Sequence, residues 1–179
     1  LERIRYTTSH PRDMNENLIA AHGLTPKLMP SLHLPIQSGS NSVLASMNRG
    51  HNRDDYLRII EKLRIARHDI ALSSDFIVGY PGETGQDFSE TMALIGEVEY
   101  SQAYSFRYSP RLGTPAASLP QIPDSLMTER LAELQSLLKR QQRAFNVASV
   151  GTVIAVLFLQ KGKYSGQLIG RSPHGQAVH

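Results

Sequence analysis

Asp75 stands inside an apolar run, Ala71-Leu-Ser-Ser-Asp-Phe-Ile-Val78, which is closed by Gly79-Tyr-Pro-Gly-Glu83. A carboxyl group placed in such a run needs a polar or charged partner. Gln37, in Gln37-Ser38-Gly39-Ser40, follows a second β-prone run. Asp75 and Gln37 can each hydrogen-bond a ribose hydroxyl or an amide. Arg49 and Arg111 can each grip a carboxylate or phosphate through two N–H groups. Glu83 begins a helix pattern, where a carboxylate offsets the helix dipole or caps the first turn. His10 and His33 have the chemistry of general bases but lack a paired carboxylate motif and read as structural, while His51 and His68 read as surface residues. Tyr104, Phe106 and Tyr108 alternate along one run, and Phe106 reads as half-buried packing. No Ser-His-Asp order, zinc-ligand spacing or phosphate-binding P-loop occurs.

These residues need a scaffold that brings distant loops together. Arg3–Thr8, Ser31–Ile36, Ile70–Val78 and Ala103–Ser109 read as strands. Asn15–Ala21, Ser42–Met47, Asn52–Ala66 and Gln86–Val98 read as helices. Asn52 offers an N-cap with Asp54 and Asp55 in the first turn. The apolar face of that helix is Tyr56, Ile59, Ile60 and Leu63. Strands alternating with helices predict an α/β fold with a parallel sheet, open or curled into part of a barrel. Ligands in such folds gather at the carboxyl ends of the strands. The strand-end loops here are Ser9-His10-Pro11, Gln37 to Ser40, Asp75 to Glu83, and Tyr108 to Arg111. The glycine-rich exit after Val78 reads as a ligand loop or as a tight turn before a helix.

From Ser125 a long helix pattern runs to about Asn146, with Leu131, Leu134, Leu138, Gln141 and Phe145 on one side. The pattern then changes. Thr152–Leu159 is strongly β-prone, with Tyr164–Arg171 as its hairpin partner. A domain boundary is therefore expected near residue 148, with residues 1–148 and 149–179 as separate pieces. The second is too short for an independent core.

The chain has 179 residues, 40% apolar and 20% charged, as in ordinary globular proteins. It contains no cysteine, which excludes disulfides and cysteine-ligated metal or cluster sites within these residues and suits a cytoplasmic origin. No apolar stretch approaches the ~20 residues of a membrane span. The net charge of +3 is unevenly placed. All the acids precede residue 150, whereas Lys161, Lys163 and Arg171 follow it, so the carboxyl-terminal piece is basic and suited to phosphate contacts. The chain opens on Leu1, close to a strand, and closes on His179 after strand-like sequence. It is expected to be a fragment of a longer protein.

Five stretches carry a resemblance: Arg3-Ile-Arg-Tyr-Thr-Thr-Ser-His-Pro11, Leu32-His-Leu-Pro-Ile-Gln-Ser-Gly-Ser40, Met47-Asn-Arg-Gly50, Asp75-Phe-Ile-Val-Gly-Tyr-Pro-Gly-Glu-Thr84 and Tyr104-Ser-Phe-Arg-Tyr-Ser-Pro-Arg-Leu-Gly-Thr-Pro-Ala116. Their types, order and spacing resemble the radical S-adenosylmethionine methylthiotransferases, nearest to the MiaB-like branch that acts on tRNA. Residues 149–179 resemble the opening of the TRAM domain, a small RNA-gripping β-barrel. The resemblance implies the later strands of a partial (β/α) barrel of radical SAM type followed by a truncated TRAM piece. It implies S-adenosylmethionine and two [4Fe-4S] clusters in the intact protein, none ligated by this chain.

By position, Gln37 and Asp75 would take the ribose hydroxyls of S-adenosylmethionine and Arg49 its methionine carboxylate. Ile77 and Gly79 would flank the adenine, with Ser38 and Ser40 as weaker candidates. Arg111 would face substrate or tRNA phosphate, and Lys161, Lys163 and Arg171 would contact RNA. The implied reaction adds a methylthio group to C2 of an isopentenylated adenosine beside the tRNA anticodon. One S-adenosylmethionine supplies the methyl, and a second is cleaved to a 5′-deoxyadenosyl radical that abstracts hydrogen.

The family's CxxxCxxC motif is missing, with the first barrel strands and an amino-terminal cluster domain. Leu112 also stands where the family more often has proline. The chain alone is therefore expected to be inactive and to self-associate through open sheet edges. Related branches act on threonylcarbamoyl-adenosine in tRNA or on a ribosomal protein, and a non-catalytic RNA-binding module is the reading from another class. The Leu34-Pro-Ile-Gln-Ser-Gly-Ser stretch favours tRNA over the ribosomal protein.

Overall fold

A computed structural model describes residues 1–8 and 10–179; Ser9, part of the first expected strand-end loop, lies outside the described residues. The elements are α1 (Glu16–Leu24), β1 (Ser31–His33), α2 (Asn41–Ser46), α3 (Arg53–Ala66), β2 (Ala71–Val78), α4 (Gly85–Val98), β3 (Gln102–Arg107), α5 (Asp124–Ala148), β4 (Leu157–Lys161), β5 (Leu168–Arg171) and β6 (Ala177–Val178). β1, β2 and β3 form a parallel sheet in that order, and β4, β5 and β6 form a separate antiparallel sheet. Consecutive parallel neighbours joined by helices are βα units, and the mixed α/β body is compatible with part of a barrel.

β2 is the spine. Its burial alternates, so that Leu72, Ser74, Phe76 and Val78 face the helices while Ser73, Asp75 and Ile77 face the open side. Register places Asp75 beside Tyr104 and Ile77 beside Phe106 on that open face. The helix side is closed by Tyr56, Ile60 and Leu63 of α3, Phe88, Leu94, Ile95 and Val98 of α4, and Leu134 and Leu138 of α5. Capping boxes fix the starts of α3 and α4: Asn52 with Asp55, and Thr84 with Asp87. Gln141 joins α5 to the end of α4, donating to the Ile95 carbonyl at 2.7 Å and accepting from the Tyr100 N–H at 3.1 Å.

Four expectations change. Arg3–Thr8 is not a continuous strand but two parallel bridges, Ile4–Leu28 and Thr7–His33. Three residues on one side span five on the other, and Pro30, which has no N–H, sits in the excess. The second strand ends at His33 rather than Ile36 because Pro35 cannot donate; the Ile36 N–H goes instead to Ser74 Oγ at 3.1 Å. Residues 152–156 lie outside the carboxyl-terminal sheet. β4 starts at Leu157 and slips register between Phe158 and Gln160. Phe106 is 55% exposed, not half-buried, because the open face beside it is uncovered.

Candidate functional site

The Gln37–Ser40 loop rejoins the sheet after Pro35. Gln37 N–H donates to the Asp75 carbonyl at 3.0 Å, and the Ile77 N–H donates to the Gln37 carbonyl at 3.0 Å. Gln37 holds this position with φ at +81°, a conformation that is uncommon for a residue bearing a side chain. Backbone strain of this kind recurs at functional sites, where surrounding contacts over-determine it. The two distant candidates Gln37 and Asp75 are thus locked together through the main chain.

The rest of this loop is anchored from α4. Ser38 Oγ lies 3.2 Å from Thr91 Oγ1, and the Gly39 N–H donates to Thr91 Oγ1 at 3.0 Å. A Cβ on Gly39 would run into the α4 backbone at Thr91, so only glycine allows this approach. The Asp87 carboxylate accepts from the hydroxyls of Ser40 at 2.6 Å, Ser42 at 2.5 Å and Thr84 at 2.6 Å, and from the Thr84 N–H at 2.8 Å. Burial opposes its ionisation, but these donors outweigh burial and hold the Asp87 carboxyl well below the usual carboxylate range. The hydroxyls of Ser38 and Ser40 are therefore engaged inside the protein.

Asp75 is partly open to solvent on the uncovered face. Its Oδ2 lies 3.5 Å from His33 Nε2, and His33 Nδ1 lies 3.0 Å from Ser73 Oγ. His33 is therefore paired with a carboxylate that its local sequence did not announce. Burial lowers the Arg49 pKa, and the Asp75 charge opposes that shift. His51 is not a surface residue: its ring meets the edge of His10 at 4.9 Å, and its Nδ1 lies 3.2 Å from the Arg49 carbonyl. Asp75 thus has the His33 imidazole 3.5 Å from its carboxylate and the Gln37 main chain bonded to its own carbonyl.

Gly79 follows β2 with φ at +76° and packs so closely on Met127 of α5 that a Cβ would collide with that side chain. Glu83 does not cap α4, a role taken by Thr84 and Asp87. Its carboxylate turns inward to accept the Gly79 N–H and to face Arg130, with Nη1 at 3.5 Å from Oε1. Arg130 Nη1 also donates to the Glu83 carbonyl at 3.1 Å. Burial raises the Glu83 pKa, with the Gly79 N–H and Arg130 opposing it. No role at the site was read from the sequence for Met127, Arg130, Thr91 or Asp87, although Asp87 and Thr91 belong to the helix pattern that follows Gly82. Only Asp87 had a local signal, through its spacing from Thr84.

The basic candidates occupy different regions. Arg111 is exposed beyond the carboxyl end of β3, on the same side as Gly79. Lys161 and Lys163 are exposed around the β4–β5 turn, and Lys163 Nζ lies 5.9 Å from the Tyr164 ring centre. Arg171 instead lies near the amino ends of the parallel strands. Its guanidinium donates to the Gly175 carbonyl at 2.9 Å, and it lines a cavity of about 190 Å³ with Tyr6, His33, Ser73 and Tyr104.

Residues 1–95 match the family model described as the radical SAM superfamily. The chain is also 57% identical over 180 residues to the proteins named tRNA-2-methylthio-N(6)-dimethylallyladenosine synthase from Rickettsia bellii strains OSU 85-389 and RML369-C. Each comparison covers 100% of this chain but 40% of the relative, so the chain spans well under half the length of these curated relatives. With more than half of its residues matched by that family model, the chain belongs to the radical S-adenosylmethionine superfamily.

Proposed function

We propose that this chain is part of a tRNA methylthiotransferase that adds a methylthio group to C2 of isopentenyladenosine next to the anticodon, and that residues 31–83 supply the nucleoside side of its S-adenosylmethionine site. The observation that carries this reading is the seating of Gln37 against β2, its N–H bonded to the Asp75 carbonyl and its carbonyl to the Ile77 N–H, three positions that the reading assigns to one ligand. The donor set fits the ligand. A carboxylate and an amide can accept from and donate to a ribose diol, a guanidinium matches a carboxylate, and Ile77 offers an apolar side chain on the open face. Gly79 offers backbone beside it. The relatives' printed name supplies the substrate class.

The residues do not fit an iron–sulfur cluster, because the chain has no cysteine. Among the described residues no group of three or more His, Cys, Asp or Glu gathers as metal ligands. A bound S-adenosylmethionine would supply methyl and adenosyl groups; the residues here would hold and orient it.

In this reading residues 149–179 open a TRAM domain whose Lys161 and Lys163 meet tRNA phosphates, and Arg111 faces the substrate side. The anticodon stem-loop is the expected partner. The cellular setting is the cytoplasm, without a membrane; no helix among the described residues is long and apolar enough to cross one. The edge strand β3 is the surface through which the chain would self-associate.

The test is mass spectrometry of tRNA nucleosides from cells lacking the parent gene. Loss of the 2-methylthio group with retention of the dimethylallyl group is expected. Loss from threonylcarbamoyl-adenosine instead, or a change confined to a ribosomal protein, would overturn the assignment. Salt-sensitive RNA binding by the chain with no affinity for S-adenosylmethionine would leave a binding module as the better description.

A further inference from the structure

Gly79 and Glu83 are held from a part of the chain that the reaction has not so far involved. α5 begins more than forty residues after Glu83, yet two of its side chains reach the loop. Met127 lies against Gly79. Arg130 contacts Glu83 twice, at its carbonyl and at its carboxylate, while its guanidinium carbon sits 5.5 Å above the centre of the Phe88 ring. The Arg130 and Glu83 side chains are only 9% and 5% exposed. A buried pair of this kind contributes little net stability over an apolar replacement of both partners, but loss of one partner leaves the other charged and desolvated. Its position therefore fits a geometric role better than a purely stabilising one. Glu83 passes the constraint to the Gly79 N–H through its second carboxylate oxygen.

We infer that Arg130, with Met127, is a positioning residue for the cofactor site: it acts through Glu83 to fix the backbone of Gly79 at the end of β2. The inference rests on the proposed placement of S-adenosylmethionine beside Ile77 and Gly79. The polar and ring contacts of Arg130 among the described residues are with Glu83 and Phe88. Its effect is on the shape of the loop. Without the guanidinium, the Glu83 carboxylate either takes up a proton or turns out to water, and in both cases its grip on the Gly79 N–H weakens. Lysine keeps the charge but not the planar fork that spans the carbonyl and the carboxylate. Glutamine at position 83 keeps an acceptor for the Gly79 N–H and loses the charge.

The experiment measures two quantities on the 179-residue chain: amide hydrogen exchange at Gly79 and the dissociation constant for S-adenosylmethionine by calorimetry. In Arg130→Met, exchange at Gly79 is expected to rise about tenfold while amides in the middle of α3 are unchanged, and the dissociation constant rises by about the same factor. Arg130→Lys falls between wild type and Arg130→Met, and Glu83→Gln, which keeps an acceptor for the Gly79 N–H but leaves the Arg130 guanidinium without its counter-charge, also raises exchange to between those limits. Unchanged exchange at Gly79 in Arg130→Met overturns the inference. So does faster exchange with unchanged affinity, which would make the contact structural only. Should Arg130→Met fail to fold, Arg130→Lys and Met127→Ala carry the same readouts. If the wild-type chain binds no S-adenosylmethionine, the proposed cofactor site is what fails, and exchange at Gly79 alone decides whether Arg130 fixes the loop.

Discussion

β2 and β4 are both rich in β-forming residues, yet the two strands are held in opposite ways. β2 is covered on one face by three helices, and Phe76 at its centre is fully buried. All five residues of β4 are exposed, including Phe158 at 53% and Leu159 at 63%. β4 is held by its hairpin with β5 and by polar ties to the body. Arg3 donates to the carbonyls of Ala155 and Arg171, each at 2.9 Å. Gln176 donates to Asn146 at 2.9 Å and to Ser149 at 3.2 Å. The difference shows that strand propensity places a strand but does not anchor it; the anchoring comes from apolar cover.

Four substitutions and pH experiments can break or sharpen this contrast. The largest effect is expected for Phe76→Ala, which opens a cavity in the fully covered core and should cost about 3–5 kcal/mol in urea unfolding. A loss below ~1 kcal/mol would mean the parallel body is not the stable unit.

Asp87→Ala comes next. It strips the shared acceptor from three hydroxyls and should cost about 2 kcal/mol. Because the folded-state pKa is depressed, the wild-type contribution is complete above the ordinary carboxylate pKa. It is lost as pH falls below about 4 toward the depressed value. The variant should therefore show a flatter acid limb in an unfolding series.

His22 gives a smaller, graded effect. It is fully buried beside Tyr6 Oη at 2.7 Å, and its Nδ1 has no hydrogen-bond partner among the described residues. Burial, helped by the nearby Arg67 charge, lowers its pKa. The unfolded chain then binds the proton first, so stability falls as pH drops below about 6.5, by at most ~1.4 kcal/mol per pH unit. His22→Gln should reduce that slope, measured as the urea midpoint between neutral and mildly acid pH.

Phe158→Ala should be the smallest, below ~1 kcal/mol, because its ring is already half in water. A cost rivalling that of Phe76→Ala would show that the β4–β6 sheet is covered in solution and would erase the contrast.

Much of the body was legible because its signals are local. The apolar run ending in Gly79 marked β2, and Asn52 before two aspartates marked the start of α3. Elements whose shape depends on a partner were less legible. Arg3–Thr8 has the composition of a strand, but its pairing is interrupted where Pro30 withholds a donor. His33 looked isolated because Asp75 lies 42 residues away and reaches it only across the sheet. Glu83 looked like a helix-start carboxylate, since the local pattern contains neither the inward turn to Gly79 nor Arg130.

By itself the sequence determined the alternation of strands and helices, the absence of cluster-ligating cysteines and the five motif stretches that carry the family resemblance. Periodicity, composition and motif spacing are properties of short windows and need no three-dimensional partner. Only the tertiary structure decided that the Gln37 N–H bonds to the Asp75 carbonyl, that Ser38 and Ser40 spend their hydroxyls on α4, that Arg171 faces the amino ends of the parallel strands, and that α5 reaches back to Glu83. Each of these joins residues far apart in the chain, where burial and hydrogen-bond satisfaction, rather than local propensity, select the partner.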